Sequence, residues 1–190
     1  MTLERTMKIL KFTGLSLIAV TATVLTISSA YAASKMEALN NTFKVAIIKD
    51  APGAKEFAAG RYQDAIVSIN AGNKKSTSAF DRSMGLCVAH MKISEFSTAK
   101  ENCSDAIAVL SKLNKSNHRA KYLTSIAYSN RAIVNYLNGD NSAAAIDFSQ
   151  ALLFDTNKVV KHNLSLLANK ARVSANQVAK YDETLAKIGD

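Results

Sequence analysis

Between residues 86 and 107 the apolar positions fall at helical spacing on two segments that meet at a break. Leu86, Cys87 and His90 share one helical face, and Phe96, Ala99, Cys103, Ala106 and Ile107, at intervals of 3, 4, 3 and 1, share another. The break at Ile93-Ser94 predicts a turn between two antiparallel helices of about a dozen residues each, with Ser94 as the N-cap of the second. Residues 130–157 repeat the layout: Ala132 is the small residue of a first helix, Asn138-Gly139-Asp140 the turn, and Ala144, Phe148, Ala151 and Leu152 line a second. Gly139 suits a chain that leaves a helix through a left-handed residue. Upstream, Tyr62 and Ala65 stand 34 residues before Phe96 and Ala99. A fixed period of that length predicts stacked helical hairpins. The segment Phe43–Ile48 departs from this pattern. It reads either as a strand with no obvious mate or as the end of a helix stopped by Pro52.

Three phrases carry a family resemblance: G-R-Y-Q-D-A-I (60–66), S-E-F-S-T-A-K-E-N-C-S-D-A-I (94–107), and N-R-A through G-D to Ala144, closing with A-L-L-F-D-T-N (151–157). The chain resembles the tetratricopeptide repeat family over about 46–158. The resemblance implies an all-α fold: a short right-handed α-α superhelix, a solenoid of about three helical hairpins with C-terminal capping helices. The expected organisation is an N-terminal segment at 33–45 and units at about 46–79, 80–113 and 125–158, with an insert near 114–124. Capping helices follow at 159–190, the first at 159–170 and a further amphipathic one bearing Val173, Val178, Tyr181, Leu185 and Ile188. Departures are visible. Ser111 and Thr156 stand where the family often ends a repeat with proline, and Ala99 to Ala144 is 45 residues. Asn117 is a candidate cap for a lengthened helix there. Pro52 and Gly53 predict a short leading helix in the first unit. Stacked hairpins bury a continuous core between neighbours and need end helices to cover the last apolar face.

The N-terminus changes the expected compartment. Arg5, Lys8 and Lys11 precede a 16-residue apolar run, Phe12 to Ile27, and Ala30-Tyr31-Ala32 forms an A-x-A signal. This is the layout of a secretory signal peptide, 1–32, cleaved after Ala32; the apolar run is shorter than the ~20 residues of a spanning helix. A periplasmic or secreted chain of 158 residues, 33–190, is expected. Removal of Arg5, Lys8, Lys11 and Glu4 leaves 21 Lys plus Arg against 14 Asp plus Glu, a net charge of +7. The excess is densest at Lys74-Lys75 and along Lys112, Lys115, Arg119 and Lys121, but is mostly spread as on a solvated helical surface. It is compatible with an anionic envelope lipid or polysaccharide. One proline and no tryptophan fit a helical chain.

An exported chain with two cysteines invites a disulfide. Cys87 lies seven residues before Ser94 and Cys103 nine after it, which places them at about one level of antiparallel helices; the pair is expected bonded rather than simply small and buried. His90, His118 and His162 are scattered, and His90 reads as a satisfied semi-buried side chain. D-A-P-G-A-K (50–55) lacks the phosphate-loop pattern, and no serine sits in G-x-S-x-G. No catalytic residue, metal site, cofactor or nucleic-acid partner is expected, and the chain is not read as an enzyme. In the tetratricopeptide family the first helices of the hairpins line a concave groove. The resemblance places there Asp81, Met84, Val88 and Met91 of the second unit, and Ile126, Ser129, Asn130, Ile133 and Tyr136 of the third. That groove suits an apolar protein segment rather than a charged C-terminus. The expected function is therefore a protein–protein interaction module, with Asp81 and Asn130 orienting the partner; the chain's own segment 35–49 or its C-terminal helix is the competing occupant. The alternative is a basic helical domain on an anionic surface, through Lys112, Lys115, Arg119 and Lys121.

Overall fold

The computed structural model describes residues 43–72, 78–113 and 116–188, with side-chain environments up to residue 176. The expected leader, Lys74, Lys75 and Lys115 lie outside the described residues. The chain divides into two units, Met1–Lys35 and Met36–Asp190, and everything described below belongs to the second. Among the described residues it is all-α: α1 (Ala54–Ala58), α2 (Tyr62–Ala71), α3 (Ala79–Lys92), α4 (Phe96–Ser111), α5 (His118–Leu137), α6 (Asn141–Phe154) and α7 (Lys158–Ile188). No described helix is long and apolar enough to cross a membrane.

Each helix packs on the next, and α3 also touches α5, which touches α7. The three tight turns share one bonding pattern. Gly60, Ser94 and Gly139 adopt φ of 69°, 66° and 90°. Their N–H groups donate to the carbonyls of Phe57, Met91 and Tyr136, while those of the following residues reach back to Glu56, His90 and Asn135. This left-handed exit satisfies carbonyls that the helix end leaves free. Ser94 therefore serves as the left-handed turn residue, and Glu95 takes the N-cap position without a side-chain bond.

Small residues set the helix spacing. Ala65, Ala99, Cys103, Ala132, Ala144 and Ala151 have no exposed surface. A Cβ on Gly85 of α3 would come within 2.9 Å of Ile69 Cδ1 on α2. Cys87 and Cys103 are bonded across α3 and α4, with Cα atoms 5.0 Å apart. Arg82 ties α3 to the end of α2, donating to the Ile69 and Gly72 carbonyls. On the third hairpin Arg131 clasps the buried Asp147, Nε to Oδ2 at 2.8 Å and Nη2 to Oδ1 at 2.7 Å, and Asn135 donates to the same carboxylate. The Asp147 bond, outweighing burial, raises the Arg131 pKa, so this guanidinium stays charged.

Two elements extend beyond the expected lengths. Asn117 caps α5 by accepting from the Ala120 N–H, so most of the 114–124 insert is helical and the third hairpin starts at His118. The C-terminal segment is one continuous helix of 31 residues, where two were expected. Its first half carries buried Val160, Asn163 and Leu167, whereas 171–176 is exposed.

Candidate functional site: an occupied groove

Phe43–Ile48 forms neither helix nor turn, and among the described residues no strand pairs with it. An extended segment laid on protein has N–H and C=O groups that need partners. Two asparagine side chains supply them. Lys44 N–H donates to Asn163 Oδ1 at 2.8 Å, and Asn163 Nδ2 returns a bond of 2.9 Å to the Lys44 carbonyl. Ala46 N–H donates to Asn130 Oδ1 at 3.1 Å, and Asn130 Nδ2 donates to the Ala46 carbonyl at 2.9 Å. Each amide thus does for one residue what a neighbouring strand would do. Residues two apart present their backbone groups on the same edge of an extended chain, which is why the clamps engage Lys44 and Ala46. Both asparagines are fully buried. Asn163 also donates to Ser129 Oγ at 3.2 Å, and Met84 Sδ lies 3.9 Å from Asn130 Nδ2.

Side chains anchor the two ends. Phe43 lies 5.1 Å from the Tyr136 ring and 6.2 Å from that of Phe148. Val45 packs on the same cluster, which includes Val88, Met91 and Ile133. Ala46 and Ile48 turn to a second cluster containing Phe80, Met84 and Ile126. Lys44 and Ile47 face outward. Beyond Ile48 the chain turns through Asp50, with φ of 64°, and Gly53, with φ of 85°. The segment therefore runs from α7 and α5, past α3, to the first hairpin.

The expected groove residues fall into three groups. Met84, Val88, Met91, Ile126, Ser129, Asn130 and Ile133 are all buried around this trough, at 2% exposure or less. Tyr136 is half-buried at the Phe43 end, and burial raises its hydroxyl pKa. Asp81 sits on the first turn of α3, where its N–H donates to Ser78 Oγ; the described clamp bonds come from the asparagines instead. The trough holds the chain's own 43–48, one of the two internal occupants weighed from sequence. Asn163 and Phe43 were missed, although a signal existed for the first: Asn163 stands 33 residues after Asn130, close to the repeat period. His90 is held by Glu95, Nδ1 to Oε2 at 2.6 Å. No cluster of metal-ligating side chains occurs among the described residues.

A second concavity of about 500 Å³ opens between α4, α5 and α6. Its walls include Ile107, Leu110, Leu113, Tyr128, Leu153 and Phe154, with Lys121 beside them. Arg119 and Lys112, adjacent in sequence to lining residues, are exposed. Comparison of the chain with protein-family models, with curated proteins and with solved structures found no match.

Proposed function

We propose that the chain is an exported protein–protein interaction module, a tetratricopeptide-like right-handed stack of helical hairpins whose concave groove grips an extended protein segment. The observation that carries this reading is the pair of buried asparagines, each bonded to both backbone groups of one residue in an extended chain. Backbone recognition of this kind accepts many sequences, while the apolar pockets at its ends select among them. The shared turn geometry at Gly60, Ser94 and Gly139 and the 34-residue spacing support the repeat reading. In this account 43–48 is the resident occupant, and a partner segment enters by replacing it.

A basic face forms the second reading, favoured by the apolar concavity that Lys121 helps to line. One experiment addresses both. A photoreactive phenylalanine analogue replaces Tyr136, at the groove, or Tyr122, exposed on α5, in the cell that makes the protein. An adduct with a second protein at position 136 alone supports the groove. Adducts at 122 alone, lost at raised salt, support the basic face. Only internal crosslinks at 136, with none at 122, overturn both.

A further inference from the structure

The concavity between α4, α5 and α6 suits a ligand of a different kind from the trough, and the inference drawn from it rests on the basic-face reading, which it makes specific. Of the large apolar side chains exposed among the described residues, three line this one hollow: Leu113, Leu153 and Phe154, at 49%, 77% and 39% exposure. A contiguous exposed apolar patch marks an interaction site, where a lone exposed leucine does not. Buried Leu110, Ala120 and Thr124 complete the lining. Ala120, Thr124 and Tyr128 recur every four residues on α5, so the hollow follows that helix for about 12 Å. Lys121 stands at the start of this stretch, and at its end the Tyr128 ring stacks on Phe154 at 5.6 Å.

Size and charge together define the occupant. A volume of about 500 Å³ falls within the roughly 300–1,000 Å³ of small-molecule sites. Its ten lining residues fall short of the roughly 20–30 that a stable protein interface uses on each side. Lys121 is the charged side chain among those residues, with no carboxylate beside it in the lining, and it enters no ion pair among the described residues. Exposed Lys112 and Arg119 flank it in sequence. Arg131, 5.1 Å from the Tyr128 ring, is already committed to Asp147. The Ser111 and Thr124 hydroxyls donate to the Ala108 and Ala120 carbonyls, which leaves the Lys121 ammonium to meet a polar head. We propose that the concavity binds a single-chain amphiphile with an anionic head, of the fatty-carboxylate type. The alkyl chain lies along Ala120, Thr124 and Tyr128 toward Phe154, and the head meets Lys121.

The test titrates the full chain with monomeric octanoate, decanoate and dodecanoate, and with dodecyltrimethylammonium as the cationic counterpart. NMR shift changes at the Leu113, Leu153 and Phe154 amides, compared with those at Lys44 and Ala46, locate the binding. Each added pair of methylenes is expected to tighten binding about tenfold until the hollow is filled. Dodecanoate is expected to bind about fivefold more tightly than the cation. Leu153→Asp should weaken dodecanoate about tenfold or more, and Lys121→Glu should erase the preference for the anion. Affinity independent of chain length, or shifts confined to the trough, overturns the proposal, and equal binding of both heads overturns its anionic half. Vesicles of phosphatidylglycerol and phosphatidylcholine separate it from the reading it rests on. Vesicle attachment that fades with salt and ignores Leu153→Asp, without monomer binding, overturns the amphiphile site and leaves the basic face standing. Binding of neither overturns both. A concentration-dependent dimer that Leu153→Asp dissolves makes a second copy the occupant and overturns the proposal as well. If Leu153→Asp perturbs the fold, Leu113→Asp gives the same comparison from α4's end.

Discussion

Asn130→Ala isolates the clamp. The substitution removes a fully buried amide that bonds both the N–H and the C=O of Ala46, and an alanine offers neither group a partner. Leaving a buried polar group unpaired costs about 1–3 kcal/mol. Ala46 is half-buried, which lets some water reach it, so the two groups together are expected to cost about 2–4 kcal/mol. For a chain of this size about 2–4 °C of Tm accompanies each kcal/mol, giving a fall of about 5–15 °C. Stability alone does not locate the loss, because a cavity beside Met84 would also lower Tm. Hydrogen exchange does: the Ala46 amide should lose protection while amides in the middle of α5 keep theirs. A double-mutant cycle sharpens the test. Ala46→Pro deletes the N–H that Asn130 accepts, so combining it with Asn130→Ala should cost less than the sum of the two, with a coupling of about 1 kcal/mol or more. A Tm shift equivalent to under about 1 kcal/mol, with unchanged Ala46 exchange and additive effects, would refute the clamp.

Replacing both Cys87 and Cys103 with serine removes a bridge between residues 16 apart in sequence, and chemical denaturation should register a loss of about 3 kcal/mol. Ser94→Gly should raise stability by about 0.5–1 kcal/mol in the same assay, because a non-glycine residue at φ of 66° is disfavoured where Gly60 and Gly139 stand in the equivalent turns. Alkaline pH tests Tyr136, whose folded pKa is raised by burial above 10.0. The folded state then holds the proton longer than the unfolded one, so this contribution is fully present below 10.0 and is lost as pH rises through the folded value. Tyr136→Phe should flatten that alkaline decline relative to wild type; an unchanged slope would remove Tyr136 as its source.

The helices were legible because their determinants are local. Small residues at the close-packing positions, Ala99 and Cys103 against Cys87, recur at helical spacing, and Gly139 marks its turn by conformational need. Ser94 misled because serine is a frequent N-cap; its left-handed φ follows from the Schellman-type bonds to Met91 and His90, which composition does not reveal. The groove was half legible. Its apolar residues and Asn130 were placed by the family resemblance, but the occupant's path depends on contacts 84 and 119 residues apart in sequence. Phe43–Ile48 read either as a strand without a mate or as a helix end stopped by Pro52, since its partners are side-chain amides on two helices, an arrangement that leaves no alternation or hairpin signal. The continuous α7 was missed for a different reason: no glycine or proline interrupts 158–188, yet a polar stretch at 169–177 resembles a boundary.

The trough cannot stand empty at low cost. Without 43–48, the two apolar clusters would lose the packing of Phe43, Val45, Ala46 and Ile48, and the amides of Asn130 and Asn163 would give up the clamp bonds inside an apolar wall, the situation that burial of polar groups penalises most. An occupied groove is therefore the ground state of the fold, and under the proposed function another chain would have to displace 43–48 to enter. Under the proposed function the measured affinity is a difference between partner and resident segment. Changes that weaken the resident, such as Phe43→Ala, should tighten partner binding while lowering stability, whereas changes in the clamp, such as Asn163→Ala, should weaken both. These opposite signs separate an exchangeable occupant from a fixed strap, for which Phe43→Ala and Asn163→Ala would differ only in the size of the stability loss.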